Sequence, residues 1–314
     1  FQFRMDDCLK LLSGKKERIP VDPKKRDEKE QNEKEDEDMT FLKEIIPQEL
    51  EAVKIISFGK RTGCRERQSL SGIPNIHSFI HFDLVIITKE KIDIYPSKIS
   101  NLISQETDGK LTTTILICSS KKIEQALKKG NEFVHNVLKS GTVIYSDPEI
   151  SLDIPPFSPD LKEKLRKVRE EFFIRNHRAT CFLAAADIVS GDDDATEISL
   201  QYMALQQICL GTIYVMLGLR PDCLKLEHLL NLCSNFSNLP DDCFPRWSRE
   251  DQRLFKKLIN SPHEVRFRTS DRRSLVDVDI LLSRSQTFLK EMETITEKRI
   301  EELEKELKQQ DHEN

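Results

Sequence analysis

The chain has 314 residues, 38% of them hydrophobic and 33% charged, with a formal net charge of −5. No apolar stretch reaches the roughly 18 residues needed to cross a bilayer, so no membrane span is expected, and an acidic chain can bind nucleic acid only through a local patch. The eight cysteines form no C-x-x-C pair and have no histidine at zinc spacing, which argues for reduced, mostly buried thiols and against a disulfide framework or a structural zinc.

The opening Phe1-Gln2-Phe3-Arg4-Met5-Asp6-Asp7 lacks the basic start and apolar core of a signal peptide, so the cytoplasm is the default compartment. Residues 24–38, KKRDEKEQNEKEDED, hold 13 charged residues and no apolar one. Such a segment buries too little surface to offset its ordering entropy, so residues 1–38 read as a charged, flexible arm. Phe41, Leu42, Ile45 and Ile46 then recur at helical spacing, with Pro47 interrupting them. Ala52 to Phe58 reads as a buried strand closed by Gly59, and a polar loop is expected from Lys60 to Ser78. Phe79 to Ile87 is a second strand, residues 97–104 a helix, and Thr112 to Cys118 a third, β-branched strand. Lys121 to Leu138 has one apolar side and reads as a single helix, capped by Gly141. Thr142 to Tyr145 is a last short strand. Residues 39–147 therefore form a small α/β domain.

Prolines 148, 155, 156 and 159 crowd residues 148–159, which read as a linker. Strand signals then stop. Helices are expected over Asp160 to Val189, Thr196 to Leu219, Leu224 to Phe236, Ser248 to Asn260, and Ser274 to about Gln310. The second is apolar nearly all round, which suits the centre of a bundle. Residues 160–314 thus read as an all-α helical bundle with a charged last helix. A thin seam on that helix, Ile295, Ile300, Leu303 and Leu307, is a candidate for pairing two copies.

Three constellations carry chemistry. The first is Phe58-Gly59, then Lys60-Arg61, then His81-Phe82-Asp83-Leu84-Val85 on the next strand. A glycine after a strand lets backbone approach a phosphate, and alternate residues on a strand share a face. Paired carboxylates there could hold metal ions for nucleotidyl transfer. The arrangement resembles the small "minimal" nucleotidyltransferase fold, whose strand leads into Phe-Gly-Ser and whose next strand carries Asp-x-Asp-Leu. Here Lys60 stands in place of the Ser and His81 in place of the first carboxylate, and Thr112 to Cys118 supplies no acid. A His with one Asp suits Mg²⁺ poorly. The expectation is a nucleotidyltransferase-like domain that has lost catalysis, with no cofactor. Under the alternative, an active metal-dependent nucleotidyltransferase, Asp83 and His81 would be the residual catalytic pair and Mg²⁺ the cofactor.

The second constellation is Ala184-Ala185-Ala186, Gln206, Gly218-Leu219-Arg220-Pro221 and His228-Leu229. In helix order and turn chemistry, residues 160 to about 290 resemble the HEPN family (higher eukaryote and prokaryote nucleotide-binding helical bundle). Its ribonuclease members use Arg-x(4–6)-His, with His as acid or base and Arg neutralising the phosphorane. Arg169 to His177, Arg220 to His228 and Arg253 to His263 are all spaced too widely, so that chemistry is expected to be absent. The resemblance implies a nucleotide- or RNA-binding accessory protein, linked to toxin–antitoxin or defence systems, and a homodimer through the helical bundle. A scaffold that oligomerises without ligand is the remaining alternative.

The third is a basic run. Residues 246–273 hold nine Arg or Lys against four Asp or Glu. Arg249, Arg253, Lys256 and Lys257 share helical spacing, while Arg266 and Arg268 are expected in a loop beyond. Trp247, Phe255 and Phe267 interleave. Arg grips phosphate oxygens and aromatics stack bases. The candidate nucleotide- or phosphate-binding residues are therefore Gly59, Lys60, Arg61, Arg249, Arg253, Lys256, Arg266 and Arg268. No metal site is expected.

Overall fold

In a computed structural model, the described residues are 42–44, 46–47, 49–67, 75–150, 154–157, 159–246, 248–267 and 278–313. The expected arm, 1–38, lies outside them. The chain divides into two compact units, Phe1–Glu44 and Ile45–Asn314. Of the first, the described residues 42–44 are helical. The second contains everything that follows: a mixed sheet with helices, then an all-helical part.

The sheet has four strands in the order β3-β2-β1-β4. Strands β1 (Ala52–Arg67) and β2 (Asn75–Thr88) are antiparallel and much longer than the apolar runs that announced them. Their ladder continues from Gly59↔Asp83 to Arg67↔Asn75. Most of the expected loop is therefore strand, because backbone pairing continues where apolar side chains stop. Helix α1 (Pro96–Glu106) leads to β3 (Leu111–Ser119), which runs parallel to β2. Next come α2 (Ser120–Lys128), α3 (Glu132–Ser140) and β4 (Thr142–Ser146), which pairs antiparallel with β1. The single helix expected over Lys121 to Leu138 is two. Gly130 takes φ +67°, outside the helical region. The Asn131 side chain then accepts from the Val134 N–H at 3.0 Å and starts a new helix.

One irregularity in β1 matters for all that follows. Ser57 pairs with Leu84 and Gly59 with Asp83, so Phe58 is an extra residue, a β-bulge. A strand alternates faces, and an extra residue inverts the alternation beyond it. Ile56, Val85 and Ile87 bury one face against Ile123, Leu127, Phe133, Val137 and Leu138 of α2 and α3. His81 and Asp83 continue that face along β2. The bulge turns Gly59 and Arg61 onto it as well, and sends Lys60 to the other side, over the Phe82 ring at 5.4 Å.

The helical part has six helices among the described residues. Helix α4 (Leu161–Ile188) starts at Asp160, whose carboxylate accepts from the Lys162 and Glu163 N–H groups. Helix α5 (Asp194–Leu217) starts at Asp193 and stops where Gly218 takes φ +66°. The helix expected over Leu224 to Phe236 is shorter, α6 (Leu226–Cys233), and a brief α7 (Leu239–Cys243) follows it. Helix α8 (Arg249–Phe267) runs seven residues beyond its expected end, through Pro262. Proline there cannot bond the Leu258 carbonyl, and the Ser261 hydroxyl donates to that oxygen instead, at 2.8 Å. Helix α9 (Val278–Glu313) closes the fold.

Helix α5 is the centre, as its all-round apolar surface implied. It is long and apolar enough to cross a membrane by length and composition, but over half of its most apolar stretch is buried in the protein. Its polar side chains are met there: Thr212 by Thr296 at 2.9 Å and Gln201 by Ser285 at 3.2 Å, both from α9. Gln206, the expected central glutamine, instead sits half-buried and donates to the Leu224 carbonyl. The seam expected to pair two copies faces inward. Ile300 and Leu303 belong to the bundle core, and Ile295 and Leu307 pack against it.

Candidate functional site

The sheet face toward the bundle changes character along its length. Its apolar end lies under α2 and α3; its polar end carries His81, Asp83, Thr112 and Thr114 on β2 and β3, which pair Asp83 with Thr114. The Asp83 side chain is 0% exposed, and Arg61 donates to its Oδ2 at 2.7 Å. His81 Nδ1 lies 2.8 Å from Thr112 Oγ1, and its Nε2 lies 2.9 Å from Thr114 Oγ1 and 3.4 Å from Asp83 Oδ1. The expected trio of Gly59, Arg61 and Asp83 is therefore brought together, with His81.

The helical part covers them. Asn235, just after α6, lies against the Gly59 backbone: a Cβ on Gly59 would sit 1.9 Å from Asn235 Oδ1 and 2.8 Å from Asp83 Oδ2. Glycine at 59 thus serves a close approach of side chains from two parts of the fold. His228 of α6 stands in the same electrostatic surroundings as Asp83 and His81. Its Nε2 and the Asp83 Oδ1 are both buried without a hydrogen-bond partner. Arg246 stands near Arg61, held by Asp241 at 2.7 Å and stacked on Phe255 at 5.0 Å.

Burial sets the proton affinities here. It lowers the pKa of His81 and of His228 below the ordinary 6.5, against the opposing pull of Asp83. It also lowers that of Arg61, again against Asp83. Both imidazoles are therefore held neutral at pH 7, and the ion pair is Arg61 with Asp83.

These donors do not fit a divalent metal. One Asp83 oxygen is bound to Arg61, both His81 nitrogens are at threonine hydroxyls, and Asn235 fills the approach over Gly59. Among the described residues, no group of three or more His, Cys, Asp or Glu could hold a metal ion. The buried ion pair ties β1 to β2 within the sheet, and Asn235 of the bundle packs over it at Gly59.

The basic run is elsewhere and mostly on α8. Arg249, Arg253, Lys256 and Arg266 are exposed and, among the described residues, have no ion-pair partner. At about 100° per residue, Arg249, Arg253, Lys256, Asn260, His263 and Phe267 fall within about 80° of one another. All six are exposed, so this row is the outer face of the helix. Lys257 is turned aside and held by Glu264 at 2.8 Å. Arg266, expected in a loop, is in the last turn of α8, to one side of the row. Of the interleaved aromatics, Phe255 is buried and Phe267 is 69% exposed. Arg268 and Trp247 lie outside the described residues.

The start and inner side of α8 are fixed. Ser248 accepts from the Asp251 N–H at 3.1 Å and donates to its carboxylate, a local N-terminal box. Arg284 of α9 donates to the same carboxylate at 3.1 Å. A rigid helix therefore presents the cationic row.

A separate cavity of about 1110 Å³ opens beyond the apolar end of the sheet face, with Leu116, Cys118, Phe133, Phe157 and Tyr214 in its walls. None of the expected site residues lines it.

The partners Asn235 and His228 were not identified from sequence as neighbours of Asp83. The only signal was the placement of His228 on a short apolar helix. Comparison of the chain with known proteins finds no matching family model and no matching curated protein.

Proposed function

We propose that this chain is a non-catalytic accessory protein of the HEPN–nucleotidyltransferase type, which binds the phosphates of RNA or a nucleotide on the outer face of α8 and needs no metal to do so. The observation that carries this reading is the row Arg249, Arg253 and Lys256: exposed cations without ion-pair partners among the described residues, on a chain of net charge −5. Unpaired cations on a rigid helix keep their field available to a phosphate. The family resemblance draws support from the order of parts, a mixed sheet followed by helices, with Gly59 and Asp83 opposed on neighbouring strands. Loss of catalysis draws support from the donor set around Asp83, which is committed to Arg61 and covered by Asn235. Six cysteines, from Cys118 to Cys243, are free thiols, which suits a cytoplasmic protein.

The test is anisotropy of a labelled RNA mixture at low salt, with the parent and with Arg249, Arg253 and Lys256 all changed to Ala. Binding should weaken for every sequence, and the salt dependence should flatten by about 0.7–0.9 of a unit of slope per lost contact. A parent that binds nothing at low salt, or a triple variant that binds as tightly, refutes the reading.

A further inference from the structure

We infer that the α8 face takes single-stranded nucleic acid, with phosphates along Arg249, Arg253 and Lys256 and one base stacked on Phe267. The inference rests on the reading of this face as the phosphate-binding surface and names the polymer that fits it.

The spacing is the first argument. Arg249, Arg253 and Lys256 follow one another at steps of about 6 and 4.5 Å along the axis, and Phe267 lies about 27 Å from Arg249. Successive cations at such steps suit successive phosphates of one extended strand.

The aromatic end is the second. Phe267 is 69% exposed, an unusual position for a phenyl ring on an isolated helix face. The His263 ring packs on it at 4.6 Å between centroids, tilted by 43°. His263 is therefore a support that orients the phenyl ring. A duplex keeps its bases stacked inside and offers no base face to such a ring, whereas a single strand does. Arg266, exposed and next to Phe267 in the last turn of α8, adds a cation at that end of the helix. A purely anionic partner, such as an acidic protein or an anionic lipid surface, would use the cations but would have no use for the aromatic platform in line with them.

The full chain is tested against 15-mer oligo-U and oligo-dT, a 15-base-pair RNA duplex, inorganic polyphosphate, and vesicles containing phosphatidylserine. Both single strands should bind more tightly than the duplex or the vesicles, and their ratio shows whether the sugar matters. Phe267→Ala and Phe267→Leu should each weaken oligo-U about tenfold, the loss expected for one stacked base, with polyphosphate binding unchanged. Phe267→Trp should restore affinity, and its fluorescence should be quenched by the oligomer. The triple change at Arg249, Arg253 and Lys256 should weaken oligo-U and polyphosphate alike and lower the oligo-U salt slope by about two.

Oligo-U binding indifferent to Phe267, while still lost in the triple variant, overturns this inference and leaves the phosphate reading standing. Equal or tighter binding of duplex or vesicles overturns it too. A triple variant that binds polyphosphate as the parent does removes the reading beneath it.

Discussion

Gly59 looks, in sequence, like a residue that lets backbone near a phosphate; in the structure it lets Asn235 near a strand. A methyl group there would overlap the Asn235 carboxamide and crowd Asp83. Gly59→Ala should therefore destabilise the protein by about 1–3 kcal/mol, as other overpacking changes do. Urea midpoints would show it, and an unchanged midpoint would contradict the packing. Arg61 has a larger effect, because Asp83 is fully buried. Arg61→Ala leaves that carboxylate uncompensated, at about 3–5 kcal/mol. Arg61→Ala with Asp83→Asn together should cost less than Arg61→Ala alone, and a cycle of these variants in urea measures the difference. The histidines add a dependence on pH. With a folded-state pKa lowered by burial, the folded protein takes up a proton less readily than the unfolded chain. Their contribution is fully present above the ordinary 6.5 and is lost as pH falls from there through the lowered folded values. Stability should drop as pH falls below about 6.5, and His228→Asn should make that slope shallower. Parallel slopes for parent and variant would remove His228 from the account.

At the level of elements, α8 carries a conflict between its sequence and its length. Pro262 should end a helix, yet the helix continues to Phe267, with the Ser261 hydroxyl on the Leu258 carbonyl. Ser261→Ala should cost about 1–2 kcal/mol by leaving that buried oxygen unmet. In a Pro262→Ala background, where a backbone N–H returns to the same carbonyl, the loss should largely vanish. Equal losses in both backgrounds, measured by thermal unfolding, would count against the hydroxyl. Elements whose ends carry their own chemistry were legible in the sequence, Asp160 at a start and Gly218 at a stop, whereas α5 starts two residues before the expected Thr196, capped by Asp193. Where a side chain replaces an expected breaker, or backbone pairing extends a polar segment, local pattern misleads. That is why the local pattern of α8 and of the β1–β2 hairpin implies shorter elements than form. The split at Gly130 is hidden for a related reason, since the apolar spacing on either side of it matches one helix. The site divides in the same way. Arg61, His81 and Asp83 lie on adjacent strands and were found together, whereas Asn235 and His228 arrive from more than 140 residues away in the chain, a distance over which no periodicity speaks.

On the scale of the whole molecule, the sequence divides at the proline-rich segment 148–159, but the packing continues across it. Leu217 and Leu219, at and just beyond the end of α5, join the cluster on the sheet face. Phe58 of β1 packs against the bundle core and meets Phe133 edge-on at 5.4 Å. With Asn235 seated on Gly59 at the other end of the same face, sheet and bundle pack together along its length. Residues 45–314 should therefore unfold in one calorimetric transition, with agreeing calorimetric and van't Hoff enthalpies. Two resolved transitions would show that sheet and bundle hold themselves up separately.

The bulge at Phe58 makes the chemistry of this face depend on counting. Which side of the sheet Arg61 reaches is decided by the number of residues between it and Gly59, which pairs with Asp83. No point substitution at position 58 would move Arg61 away from Asp83, since any residue there keeps the count. Deleting that one residue would close the bulge and leave Gly59, Lys60 and Arg61 opposite Asp83, Phe82 and His81, with Arg61 still on the side of Asp83. Adding a residue between Gly59 and Arg61 would instead exchange Lys60 and Arg61 between the two sides, placing an ammonium at the buried carboxylate. In a library of single-residue deletions and insertions along β1, loss of Phe58 should keep the Arg61–Asp83 pair, and an insertion just after Gly59 should break it.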